Sequence, residues 1–160
     1  NAVHIYCYNI AYACEERANT EEAMAWYSES IAADSAFAPA YCAVANLYVE
    51  NNRANDALRL LVRFDRLNPE TPDRWQVSRS YGKTHLALKN YGRAKEMLEE
   101  SNRLHPNDPK TLFLLALAYD SLKMDKESLS TWREYGSKEK DPAKLAGALL
   151  RIKQLEKKIR

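Results

Sequence analysis

The sequence predicts an all-α fold made of consecutive helix hairpins, and three observations carry that expectation. Only four glycines and six prolines occur in 160 residues, too few to build the tight turns of a β fold. Hydrophobic residues make up 46% of the chain and charged residues 29%, a balance that suits a folded chain rather than a disordered one. A short pattern also returns along the chain. The segments EEAMAWYSESI, NDALRLLVRFDRLNP, GRAKEMLEESNRLHP and KESLSTWREY align on a small residue with a hydrophobic one four places on. Self-similarity at a fixed period marks a repeat array, in which each unit buries its apolar faces only against its neighbours.

The aligned small residues are Ala23, Ala57, Ala94 and Ser128, spaced 34, 37 and 34 apart. They divide the chain into units at 4–37, 38–71, 75–108 and 109–142, with a three-residue insertion at 72–74 and a tail at 143–160. Together these form a single array. In the first unit, helices are expected over 3–17 and 20–33, with Asn19 and Glu22 placed as a helix-capping pair between them. The second unit gives helices over 38–51 and 55–67, the third over 73–89 and 91–104, and the fourth over 109–123 and 125–138. All six prolines fall at unit boundaries, where helices start or break.

Inside each unit the chemistry recurs at fixed offsets. Position 8 is Ala11, Ala45, Gly82 and Ala116, and position 24 is Tyr27, Leu61, Leu98 and Trp132. A small residue at position 8 lets the second helix approach, the small residue at position 20 receives it, and the large residue at position 24 fills the space between them. The tail predicts a ninth helix over 142–159. There Leu145, Leu149, Ile152, Leu155 and Ile159 form an apolar stripe, and Lys144, Arg151, Lys153, Lys157, Lys158 and Arg160 form a basic face. Such a helix can cover the end of an array.

With these residues in place, the sequence resembles the tetratricopeptide repeat family across residues 4–142. Units two and three carry most of the pattern: Tyr41, Val44, Ala45, Tyr48, Ala57, Leu61 and Pro69, then Tyr81, Gly82, Ala94, Leu98 and Pro106. The resemblance implies a right-handed superhelical solenoid of about four helix hairpins closed by the capping helix 143–160. Departures fall at position 27, usually Ala in the family and here Ser30, Phe64, Ser101 and Tyr135; the two rings are expected to alter packing between neighbouring units.

Charge is distributed unevenly. Residues 1–37 carry six acidic side chains and one basic, a balance of −5, whereas residues 141–160 carry six basic and two acidic, a balance of +4. The whole-chain charge of +2 gives no basis for a nucleic-acid or membrane partner. No run approaches the ~20 apolar residues that cross a bilayer. Cys7, Cys14 and Cys42 lie among apolar neighbours with no CxxC pair, so they read as small buried hydrophobes and point to a reducing, cytoplasmic compartment. The chain begins at Asn1 without Met, and is expected to be a piece of a longer protein.

No catalytic constellation emerges. The motifs HExxH, GxxxxGK and GxSxG do not occur, and His4, His85 and His105 fall in unrelated roles of the repeat. No metal or cofactor is implied. His85, at an interior position, reads as a packing residue.

The resemblance instead directs attention to the concave face of the array, lined by positions 2, 5, 9 and 12 of each first helix. Carried over, these are Ile5, Tyr8, Tyr12 and Glu15; Pro39, Cys42, Asn46 and Val49; Gln76, Arg79, Lys83 and Leu86; and Lys110, Phe113, Leu117 and Asp120. The candidate peptide-binding groove is therefore Tyr8, Tyr12, Asn46, Arg79, Lys83, Phe113 and Leu117, and an acidic peptide flanked by hydrophobic residues would complement it. Packing between units is the competing role for Tyr8, Tyr12 and Phe113. Family members that clamp the acidic tail of chaperones place Lys and Asn where this chain has Tyr8 and Tyr12, and Lys and Arg where it has Gln76 and Ser80. Only Asn46 fits that pattern. The expected function is a non-catalytic scaffold that binds a protein or peptide, with self-association through the array ends. The alternatives are a regulatory segment of a larger enzyme and an RNA-binding helical solenoid, the latter opposed by the acidic first unit.

Overall fold

The computed structural model describes residues 2–159, and among them the chain folds into nine α-helices. These are α1 (Val3–Glu16), α2 (Thr20–Ala33), α3 (Ala38–Glu50), α4 (Ala54–Leu67), α5 (Arg74–Ala87), α6 (Tyr91–Leu104), α7 (Pro109–Ser121), α8 (Asp125–Lys138) and α9 (Pro142–Ile159). The helices pack as consecutive hairpins, as the period requires. Two compact units are distinguished, with the division inside α5 between Ser80 and Tyr81.

In the first unit, α1 packs on α2 through the small residues that the repeat places opposite one another. Ala11 and Ala23 have no accessible surface, and Tyr27 from α2 fills the space beside them. Val44 and Leu47 of α3 complete this core. The Ser30 hydroxyl donates to the backbone carbonyl of His4 at 2.7 Å, so the polar residue at position 27 is satisfied inside the hairpin. Phe64, at the same position of the next hairpin, stacks against Tyr41 with ring centroids 4.7 Å apart. This contact lies within one hairpin, whereas the sequence suggested an effect between neighbours. The three cysteines are buried and free.

In the second unit, Gly82 of α5 is the small partner. A Cβ on Gly82 would lie 2.6 Å from Leu98 Cδ2, so hydrogen is the largest substituent that fits there. Leu98 packs with Ala94, Leu115, Ala118 and Tyr119, joining α6 to α7. A second core gathers Leu112, Ala116, Trp132, Tyr135, Ala148 and Leu155 from α7, α8 and α9.

Each first helix ends in the same way. Ala18, Asn52, Lys89 and Lys123 have φ of 57°, 59°, 59° and 60°, and all occupy position 15 of their unit. The following amide donates five residues back: Asn19 N to the Cys14 carbonyl, Arg53 N to Tyr48, Asn90 N to His85 and Met124 N to Tyr119. A left-handed residue at this point turns the chain sharply and satisfies a carbonyl that the helix end would otherwise orphan.

The capping helix docks differently from the expected stripe. Ala148 and Leu155 are buried, with Ile152 packed beside them, but Leu149 points outward. Arg151, expected on the solvated face, reaches back to α7: Nη2 donates to Asp120 Oδ1 at 2.8 Å and Nε to Oδ2 at 3.0 Å. The small Ala148 permits close approach of α9 to α8, and the guanidinium supplies an anchor that an apolar stripe cannot.

Candidate interaction surface

Position 12 was expected to line the groove, yet in two units it holds its own hairpin together. Tyr27 donates its hydroxyl to Glu15 Oε2 at 2.7 Å in unit one, and Trp132 donates Nε1 to Asp120 Oδ2 at 3.1 Å in unit four. Both bonds join position 24 to position 12. In units two and three the same positions hold Leu61 with Val49 and Leu98 with Leu86, which are apolar pairs. Burial, then the bond to Glu15, pushes the Tyr27 hydroxyl well above its ordinary pKa. Burial acts to raise the Asp120 carboxyl, but the hydrogen bonds from Arg151, Ser128 and Trp132 outweigh it and hold it below the usual range.

Four of the seven groove residues, Tyr8, Tyr12, Asn46 and Arg79, lie in the first of the two compact units, which ends at Ser80. Tyr8 is half-buried, its ring 5.4 Å from Tyr27 and 5.5 Å from Phe37, so packing accounts for part of its role. Its hydroxyl is raised by burial first, then by the nearby Cys42, Glu15 and Tyr12, with Arg79 acting the other way. Arg79 of α5 and Cys42 of α3 are thus near enough to the Tyr8 hydroxyl to act on it electrostatically. Tyr12 is 53% exposed and free to meet a ligand. The Arg79 guanidinium lies 5.0 Å from the centroid of the Trp75 ring, which holds its planar fork in place. Asn46, one turn along α3 from Cys42, is half-buried.

Cys42 is buried, as its apolar neighbours in the sequence suggest, although its repeat position would set it in the groove lining. Burial pushes its thiol up to about 11, against the opposing effects of Ser80 and Arg79. A thiol held protonated in this way is a packing group rather than a nucleophile.

Lys83, Phe113 and Leu117 lie in the second compact unit, which starts at Tyr81. Phe113 is an exposed ring that also contacts Trp132 and Tyr135, with centroids 5.7 and 5.5 Å away. Leu117 packs partly against the core beneath it, and Lys83 is half-buried on α5.

Sequence reasoning missed a feature on a second helix. A hollow of about 650 Å³ lies along α4 between Leu58, Val62 and Leu67, walled by Arg59, Arg63 and Arg66. Its signal was available: arginines at i, i+4 and i+7 flank apolar residues at i−1 and i+3. Among the described residues, no helix is long and apolar enough to cross a membrane.

The comparisons follow this architecture. The family model of the tetratricopeptide repeat matches residues 5–37, the first hairpin. A search of curated proteins returned no match. Among solved structures, the chain is similar to PilF of Pseudomonas aeruginosa at 20% identity and a TM-score of 0.79, covering 99% of this chain and 69% of that one. It is also similar to MamA of Desulfovibrio magneticus RS-1, with 18% identity, a TM-score of 0.66, and coverage of 99% and 97%. A third is YrrB, described as a TPR protein with an unusual peptide-binding site, at 21% identity and a TM-score of 0.65 over 93% of this chain and 74% of that one. At these identities the likeness establishes the fold. The hairpins and recurring helix ends extend along the described chain, the tetratricopeptide repeat model matches its first hairpin, and its fold is like that of the TPR protein YrrB.

Proposed function

We propose that the chain is a non-catalytic scaffold that holds a peptide or partner segment against its first helices. Proteins of this repeat family generally mediate protein–protein interactions. The observation that carries the reading is the grouping of exposed Tyr12 with Tyr8 and an Arg79 oriented by Trp75. Tyrosine and arginine combine large contact area with polar handles and dominate binding energy at interfaces. An acidic residue of the ligand meets Arg79, flanking hydrophobic residues meet Tyr8 and Tyr12, and Asn46 offers an amide to the ligand backbone. Within the second compact unit, Lys83, Phe113 and Leu117 offer a separate candidate contact, positive and apolar.

A labelled peptide library with a central Asp or Glu flanked by aliphatic residues is the appropriate probe. Selected peptides should lose about tenfold or more in affinity with Tyr12→Ala, Arg79→Glu or Lys83→Glu, in proteins whose helical circular dichroism is unchanged. Unchanged affinity across those three variants would remove the assignment.

A further inference from the structure

The two ends of the chain expose complementary lines of residues. On α1, the contact with α2 buries Cys7, Ala11 and Cys14. Val3, Tyr6, Ile10 and Ala13, spaced three and four apart, form a line along another side of the helix, and all are exposed, Tyr6 to 69%. The line runs about 15 Å, at about 1.5 Å per residue. It ends at a hollow of about 510 Å³ bordered by Ile10, Ala13, Arg17 and Glu22. On α9, the face opposite the buried Ala148 and Leu155 carries Ala146, Leu149, Leu150, Lys153 and Lys157. Leu149 is 56% exposed and Leu150 60%. This second line has a similar length and ends in two lysines, whereas the α1 line ends at Arg17 among Glu16, Glu21 and Glu22, a surrounding that is acidic on balance.

We propose that the chain self-associates head to tail, the α1 line of one copy packing parallel to the α9 line of the next. Apolar residues then face apolar residues, and Lys153 and Lys157 lie towards the acidic end formed by Glu22 and its neighbours. The charge balance of −5 over residues 1–37 against +4 over residues 141–160 favours this pairing and opposes contact between two like ends. Large apolar side chains exposed to this degree in line are a mark of protein contact surfaces. Because the two faces differ, the interface is heterologous and leads to open chains or closed rings rather than a two-fold dimer. This surface is separate from Tyr8, Tyr12 and Arg79, so peptide binding can fail while self-association stands, and the reverse.

Sedimentation velocity on the protein and two face variants tests it. Tyr6→Asp disables the α1 line and Leu150→Asp the α9 line; both side chains are exposed, so neither change touches the core. The wild type should grow in mass with concentration, less so at high salt. Each variant alone should remain monomeric, and an equimolar mixture should form a dimer and nothing larger, because each variant keeps the face that the other lacks. That dimer also shows that both variants are folded. A wild type that is monomeric at every concentration would overturn the proposal. So would association of Leu150→Asp by itself, which indicates pairing between α1 faces, or a mixture that stays monomeric while both variants keep wild-type helical dichroism.

Discussion

Arg151 of α9 lies side-on along the carboxylate of Asp120 in α7, bridging 31 residues with two hydrogen bonds of 2.8 and 3.0 Å. Asp120 also accepts from the Ser128 hydroxyl at 2.6 Å and from Trp132 Nε1. One carboxylate thus ties together three helices, and it is the polar counterpart of the apolar core formed by Leu112, Trp132 and Leu155.

Replacing that carboxylate should be costly. Asp120→Ala leaves a guanidinium, an indole N–H and a hydroxyl without their acceptor, a loss of about 3 kcal/mol in the unfolding free energy. Chemical denaturation would measure it, and Arg151→Met should cost less because Ser128 and Trp132 keep their partner. The same site gives a pH dependence. The folded Asp120 carboxyl titrates below its unfolded value of about 3.9, so its contribution is present above that value and is lost as pH falls through the folded pKa. In Asp120→Asn this part of the acid sensitivity should be absent.

Gly82→Ala tests the close approach of α5 and α6. Helix propensity alone favours alanine by about 1 kcal/mol, but the new methyl would overlap the Leu98 side chain. The clash should win, with a net destabilisation of about 1–2 kcal/mol. In a Leu98→Ala background, Gly82→Ala should instead be neutral or stabilising, and a double-mutant cycle by thermal denaturation would read that change of sign.

The left-handed helix ends at position 15 offer the opposite opportunity. Ala18, Lys89 and Lys123 hold a positive φ that L residues adopt at a cost of roughly 1 kcal/mol. Glycine at any one of them should stabilise the chain by up to about 1 kcal/mol, visible as a rise in Tm. All three residues are exposed, so none of these changes removes a buried contact.

His85 should make stability depend on pH near neutrality. Its Nδ1 is buried without a hydrogen bond, and burial first, then the Arg93 charge, lowers its pKa below 6.5, with Glu96 acting in the other direction. The unfolded chain therefore takes up a proton at a higher pH than the folded one. Stability is full above the unfolded pKa and declines as pH falls below it. Denaturation midpoints of the wild type should drop between about pH 7 and about pH 5, and His85→Gln should flatten that slope.

Much of this fold was legible in the sequence because helix ends are marked chemically. Prolines at unit boundaries and polar residues between helices placed each helix to within two residues at either end. The small residues at positions 8 and 20 were read correctly as points of close approach, since only small side chains permit it. The left-handed ends were not legible, because Ala18, Asn52, Lys89 and Lys123 share no residue type; only their common place in the period relates them. On α9, a stripe through Leu149 and one through Ala148 fit helical spacing almost equally well. Burial of the smaller residue follows from the proximity of α8, which sequence periodicity does not encode. The candidate positions Tyr8, Tyr12 and Arg79 were taken from the repeat, which does not encode exposure: the same scheme sets Cys42 in the groove lining, and it is buried.

The bonds from position 24 to position 12 bear on how such an array can be altered by recombination. Tyr27 with Glu15 and Trp132 with Asp120 are each inherited within one unit, as are the apolar pairs of units two and three. A whole unit can be duplicated or transplanted with its internal pairing intact. A crossover between its two helices would set an acid against leucine, or an indole against valine, and leave a polar group stranded. The permitted junctions of this chain therefore lie between hairpins, at the proline-marked boundaries.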